Sequence, residues 1–388
     1  LSSAFRIGRD LLFRETLMPA ARFFRWQRCG CEVPGLHGPC HLDDARIADA
    51  DGGHWDASGG WHDAGDFNKY TSIACRSVYA LAAMARDEHG ALSKAEREEI
   101  LDEAFWGAAF LRRMWQPGKG IVHQDVWNGY KYFGAPDLET DNRSGTSDDR
   151  PLRGQGASAM TAAALAACAN EGRTDFRQAA EDLWRGAVES WANDAEDPWV
   201  ATSGGVPDLG EDQAGRQVRR TADLLLADLE LQRLTGEDRY AEDARLRARW
   251  LCNQLKADGA WPSDAYSRTV LQGVPAAALA LYARAYPDGP EAGGARAALR
   301  RWLDGTLRLA DNPFEILPWS AKAFFNPHTG KGWYVGQNSQ YLSQSWALYL
   351  AAKVLNDPRA RRLADRQMDW VLGLNPLNLC MMEGQGSI

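Results

Sequence analysis

The feature that most constrains this chain is its helical punctuation. Eleven stretches (3–27, 72–86, 95–115, 156–170, 175–191, 221–234, 239–256, 267–286, 295–309, 340–355 and 359–372) carry apolar residues at the spacing of a helix face. Three joints between them share one pattern. Gly172-Arg-Thr-Asp175-Phe176 ahead of Leu183-Trp184 is matched by Gly236-Glu-Asp238-Arg-Tyr240 ahead of Leu246 and Trp250, and Asn356-Asp357-Pro358 ahead of Leu363-Ala364 and Trp370 is a looser copy. Each closes one helix and opens the next with an Asp near its positive N-terminal end. Repeated helical hairpins cannot bury their apolar faces alone, so they predict an all-α toroid of paired helices. No Pro/Ser/Gly-rich linker interrupts the pattern, and a single domain over 1–388 is expected. A closed double ring needs an even number of helices, most simply twelve. Either one helix is misread, or a last helix lies outside this sequence.

Composition narrows the function. The 388 residues carry 44 Lys and Arg against 52 Asp and Glu, a net charge of −8, with no Lys/Arg block, which argues against nucleic acid. No run of about 18 uncharged apolar residues is present, so no membrane span is expected. Sixteen Trp are enough for both a large core and surfaces that stack flat ligands. Seven Cys cannot all pair internally, which excludes a pure disulfide framework.

The chemistry is expected in the long connections, 28–70, 116–155, 193–220 and 311–339, within which 120–123 and 332–335 are the two stretches expected to extend as short hairpin arms. The first holds Cys29, Cys31, Cys40, His37, His41, His54 and His62 within 34 residues. Soft sulfur and nitrogen donors at that density suit a tetrahedral zinc site; a local disulfide with incidental histidines is the alternative that spacing leaves open. Asp63 and Asp66 follow, three residues apart beside Gly65. Two carboxylates in one turn can share the positioning and deprotonation of a water; equally, Asp66 can cap the helix starting near Thr71.

The run Gly60-Trp61-His62-Asp63-Ala64-Gly65-Asp66-Phe67-Asn68-Lys69-Tyr70 closely resembles the Asp-Ala-Gly-Asp motif of glycoside hydrolase family 9, the inverting cellulases. Gln27-Arg28-Cys29-Gly30 and Gly38-Pro39-Cys40-His41-Leu42-Asp43-Asp44 resemble its zinc-bearing bacterial branch, and Trp370-Val371-Leu372-Gly373-Leu374-Asn375-Pro376 resembles the turn near its C-terminal active-site segment. The resemblance implies an (α/α)6 barrel, in agreement with the hairpin toroid. It implies Asp66 as the general base, Asp63 as the companion carboxylate on the same water, and Cys29, Cys40, His41 and His62 as ligands of a structural zinc. Cys31 and His37 are then spare, and Cys75, Cys168, Cys252 and Cys380 are expected in the core. The implied substrate is a β-1,4-glucan or its oligosaccharides, taken by a secreted or periplasmic monomer.

The chain departs from the family pattern in two places. The family's His-His-Arg segment and its acid Glu before the last helix have no counterpart before Ile388. The expectation is therefore a catalytic domain lacking its C-terminal segment, with weak hydrolysis by residues 1–388 alone; Glu383 is the one late alternative acid. Val335 stands where the family has Trp in Trp-Gly-Ser-Asn-Ser, which leaves room for exo-acting enzymes on short glucose or glucosamine oligosaccharides. Trp127, Tyr130, Tyr132, Phe133, Trp319, Trp333 and Tyr334 are the candidate sugar platforms. Calcium is possible at Asp137, Glu139, Asp141, Asp148, Asp149, Asp208, Glu211 and Asp212, although no EF-hand spacing exists and solvation explains them as well. Two other classes remain in view: a sugar-binding relative without catalysis, and a hydrolase using the metal directly, which four protein ligands argue against.

Overall fold

The computed structural model describes residues 11–42, 55–65, 67–86, 90–126, 152–155, 158–192, 213–263, 273–319, 324–325 and 337–382. The chain forms two compact units, Leu1–Thr202 and Ser203–Ile388.

In the first unit, α1 (Leu11–Trp26) precedes a short strand, β1 (Lys69–Tyr70), which runs directly into α2 (Thr71–Ala85). Helix α3 (Lys94–Met114) follows, then β2 (Trp115–Gln116), β3 (Ile121–Val126), β4 (Leu152–Gln155), α4 (Ser158–Asn170) and α5 (Arg177–Ala192). Helix α2 packs on both α3 and α4, and α4 packs on α5. Every residue of α4 from Met160 to Ala169 is buried. A helix apolar all round belongs in an interior, and the alanines let its neighbours approach closely. Helix α3 opens with a capping box in which Ser93 and Glu96 satisfy each other's backbone N–H groups.

The four strands form one small antiparallel sheet in which β3 pairs with β1, β2 and β4. Within the connection read from sequence as loop 116–155, residues 121–126 and 152–155 are thus strand. The expected extended stretch at 120–123 lies within it as β3, which runs on to Val126. Asp182 of α5 gathers the β2–β3 turn, accepting from Trp115 Nε1 at 2.8 Å, Gly118 N at 3.0 Å and Gly120 N at 3.2 Å.

The second unit is three helical hairpins: α6 (Gln213–Thr235) with α7 (Asp238–Gln254), α8 (Val274–Ala285) with α9 (Ala292–Leu309), and α10 (Asn338–Leu355) with α11 (Pro358–Val371). Their first members form a row, α8 lying between α6 and α10. Eleven helices are found among the described residues, one for each stretch read from sequence. Helix α6 starts eight residues earlier than expected, because Gly215 and Val218 extend its buried stripe through an arginine-rich stretch. All three repeated joints are left-handed helix ends, with φ of +109° at Gly172, +72° at Gly236 and +51° at Asn356. Asn is the residue best able to replace glycine there. No helix among the described residues is long and apolar enough to cross a membrane.

Candidate functional site

The site begins as a two-stranded bridge. Arg28 pairs with Trp61 in antiparallel fashion, Cys29 N donates to Gly60 O at 2.9 Å, and His62 N donates to Gln27 O at 2.8 Å. This places Cys29 and His62 on facing strands. Cys40 and His41 return from the intervening chain, with His41 in the left-handed region at φ +49°. All four side chains are buried, and one donor atom from each lies within 4.8 Å of the other three.

The spacing suits a tetrahedral ion. Zinc–sulfur bonds of about 2.3 Å and zinc–nitrogen bonds of about 2.05 Å set two nitrogens about 3.3 Å apart and a sulfur about 3.6 Å from a nitrogen. Here His41 Nδ1 and His62 Nε2 are 3.3 Å apart, and Cys40 Sγ and His62 Nε2 are 3.5 Å apart. Burial pushes the Cys29 thiol above its usual range, with the Cys40 contact adding to the rise and Lys69 opposing it. Burial also pulls His62 below its usual value. Both shifts favour the neutral forms, and a metal binds thiolate sulfur and neutral imidazole, so ion entry releases protons from the thiols.

All seven cysteines are free thiols, so the local-disulfide alternative falls. His37 stands beside the cluster as a spare: its ring lies 5.5 Å from that of His62 and its Nδ1 donates to Gly38 O at 2.7 Å. Cys75 and Cys168 are buried as expected, but Cys252 and Cys380 are only half-buried: Cys252 lies off the buried stripe of α7 (Tyr240, Ala244, Ala248 and Leu251), and Cys380 lies in the chain after α11.

Asp63 follows His62 directly. Its backbone N–H donates to Asn68 O at 3.0 Å, and Phe67 N donates to Ala64 O at 3.0 Å, closing a tight turn over 63–68. Phe67 is buried in the left-handed region at φ +56°. Its ring lies 4.8 Å from His62 and 5.6 Å from His41, so the residue after Asp66 is clamped by two members of the cluster. The N-cap residue of α2 is Tyr70, which removes the reading of Asp66 as that helix's cap. Asp63 is exposed and lines a cleft of about 120 Å³ with Phe24, Gln27, Trp61 and Tyr70 among its walls. Asp66 itself lies outside the described residues.

Sequence reasoning left Lys69 without a role. Its side chain is 1% exposed, donates to Ala57 O at 2.6 Å and Gly59 O at 3.2 Å, and lies over the Phe110 ring at 5.3 Å. A buried ammonium needs such acceptors, and it ties the stretch ahead of the bridge to β1. Its place inside the eleven-residue motif was the available signal.

Of the sugar-platform candidates, Trp319 is half-buried in the second unit, where its backbone N–H donates to Phe324 O at 3.0 Å. Trp127, Tyr130, Tyr132, Phe133, Trp333, Tyr334 and Val335 lie outside the described residues. So do Glu383, the extended stretch expected at 332–335, and every acidic residue considered for calcium.

The loop rests on α3 through glycine. Gly107 faces Trp61 so closely that an added Cβ would fall inside the indole's van der Waals envelope, with Val78 on its other side. Gly107→Ala is expected to cost about 1–3 kcal/mol by overpacking, read as a lower midpoint in urea with an unchanged slope. An unchanged midpoint would mean that the contact is not rigid.

The family model for glycosyl hydrolase family 9 matches residues 13–388. Endoglucanase D of Acetivibrio thermocellus is 25% identical over 385 residues, covering 92% of this chain and 57% of its own length. A cellodextrinase of Butyrivibrio fibrisolvens is 23% identical over 421 residues, covering 99% of this chain and 71% of its own length. Among solved structures, a metagenome-derived glycoside hydrolase family 9 endoglucanase aligns with a TM-score of 0.67 at 25% identity, over 97% of this chain and 68% of its own. The fold is therefore of the (α/α)6 class expected from the sequence. The chain spans just over half the length of the Endoglucanase D relatives.

Proposed function

The chain belongs to glycosyl hydrolase family 9, and on that premise we propose that it serves inverting hydrolysis of β-1,4-glucosidic bonds in a soluble glucan or cello-oligosaccharide. The observation that carries the reading is the tight turn that opens at Asp63, directly after His62, and holds Phe67, the residue after Asp66, against the His62 ring. Asp66 takes the proton of the attacking water, and Asp63 holds the same water by a second hydrogen bond. Inverting enzymes keep their acid and base carboxyls about 6.5–9.5 Å apart, on opposite faces of the sugar. Two aspartates three residues apart are too close in the chain for that division, and this reading puts both on the water's face. A separate carboxylic acid then protonates the departing oxygen.

Cys29, Cys40, His41 and His62 would hold zinc. Bound there, the ion supplies no reaction chemistry, because four protein ligands leave no open position. Its role is to fix the ends of the bridge, and with them the turn that carries Asp63 and Asp66. Calcium is not needed by this reading.

A substrate whose leaving group departs without a proton tests the water-activating half alone. With β-cellobiosyl fluoride, the purified protein is expected to release the α-anomer of cellobiose first, as seen by proton NMR. Release of the β-anomer would sink the inverting assignment. The cellodextrinase relative favours short oligosaccharides as a second reading of the substrate. Loss of viscosity in a β-glucan solution ahead of reducing-end release would support internal cleavage, and the reverse order would support the short-chain reading.

A further inference from the structure

We propose that Glu103 of α3 is a positioning residue for the metal cluster and for Asp63, acting through the bridge between them. The proposal rests on the metal reading of the Cys29 cluster. Side chains alternate across an extended pair, so Arg28 and Trp61, which face each other in the bridge, share one face. Their neighbours Cys29 and His62 turn to the other. The cluster occupies that second face, and Glu103 occupies the first.

Glu103 engages both strands at once. Its side chain is 4% exposed. Oε2 accepts from Arg28 Nη2 at 2.7 Å and Nε at 2.9 Å, while Oε1 accepts from Trp61 Nε1 at 2.7 Å. Arg28 also lies over the Trp106 ring at 4.6 Å, and Trp106 Nε1 donates to Gly60 O at 2.9 Å. Residues 103, 106, 107 and 110 fall on one face of α3, and Gly107 and Phe110 of that face meet Trp61 and Gly60. One helix face thus sets the register of the two strands that carry Cys29 and His62. A slip between them would separate two of the four donors and shift Asp63 with His62.

Helix packing alone would not require a charge here. A buried carboxylate between an arginine and an indole N–H on separate strands is costly unless both partners are in place, so the arrangement penalises any bridge in which they are not. Glu103→Gln keeps an oxygen for Trp61 Nε1 and the side chain's volume, but removes the buried charge on Arg28 and leaves it only the exposed Asp102, which accepts from Nη2 at 2.9 Å and does not touch Trp61.

The test loads cobalt(II) into the metal-free protein and follows the thiolate-to-metal and d–d absorption bands. The control is Glu171→Gln, which disarms a comparable buried pair in the same unit: Glu171 accepts from Arg86 and Arg97 at 3.2 and 2.6 Å. Glu103→Gln is expected to weaken cobalt affinity by about 10–100-fold, the range for residues that orient ligands from behind, and to reduce the d–d intensity. Glu171→Gln is expected to lower the melting temperature while leaving affinity and spectrum as in the wild type. If Glu103→Gln binds cobalt like the wild type, or if Glu171→Gln weakens it equally, Glu103 has no positioning role. A wild-type protein that takes up no thiolate-bound cobalt would remove the metal reading, and this proposal with it; a normal wild-type spectrum unaltered by Glu103→Gln would remove this proposal alone.

Discussion

Asp66→Asn is expected to lower turnover of dinitrophenyl β-cellobioside by about 10²–10⁴-fold, the usual contribution of a positioned general base. The dinitrophenolate departs without a proton, so this substrate isolates the water-activating half of the reaction from whatever acid serves the other half. Asparagine keeps the shape of the side chain and its hydrogen-bonding capacity but cannot accept the water's proton. The loss should fall in kcat, because the interaction removed exists mainly in the transition state. Asp63→Asn is expected to cost less, since it orients the water without taking its proton. Equal turnover by Asp66→Asn and the wild type would end the assignment, and a larger loss from Asp63→Asn would reverse the two roles. The turn geometry makes the comparison fair. Phe67 is fixed against His62 and His41, at 4.8 and 5.6 Å, and an amide keeps the volume of the carboxylate it replaces.

Stripping the metal is expected to lower the melting temperature of the first unit by about 10 °C or more. The four donors come from three separate places in the chain, the 27–29 strand, Cys40-His41 and His62. The ion therefore closes two loops as well as making four bonds. Structural zinc contributes on the order of 10 kcal/mol in isolated fingers. Here Lys69, Glu103 and the backbone bridge hold part of the loop without it, so a few kcal/mol is the expected net loss, and each kcal/mol moves the midpoint of a unit this size by about 2–4 °C. Calorimetry before and after chelation, with readdition of zinc, measures it. Turnover of the same aryl cellobioside well below the lowered midpoint distinguishes the roles. Largely retained rate with a reduced midpoint is the structural outcome, whereas an unchanged midpoint with abolished turnover would make the ion catalytic.

How much of this was legible beforehand differs from element to element. Helix α4 was, because nothing but a buried helix accommodates so long an Ala-rich run. The three hairpin joints were, because a helix end that turns left-handed selects Gly or Asn locally. The four candidate metal donors were named from a resemblance, since spacing alone left a disulfide open, and the free thiols closed that alternative. Strand β4 and the far end of β3 were hidden in a stretch taken as loop, because a strand's stability lies in its partner, and β3's distant partners lie about 55 residues upstream and about 30 downstream. The early start of α6 was hidden because its first two turns are polar but for two buried positions.

The sequence by itself determined the hairpin architecture, the family and the set of residues that can carry the chemistry, because helix periodicity, helix termination and a contiguous motif are all local in the chain. Only the tertiary structure decided that Arg28 and Trp61 face one another with Glu103 beneath them, that Lys69 is spent on the carbonyls of Ala57 and Gly59, and that Phe67 is held between two histidines. Glu103 lies 75 residues from Arg28 and 42 from Trp61. A charge in a helix reads as solvated until the packing of distant segments takes the water away, and burial is a property of the whole fold.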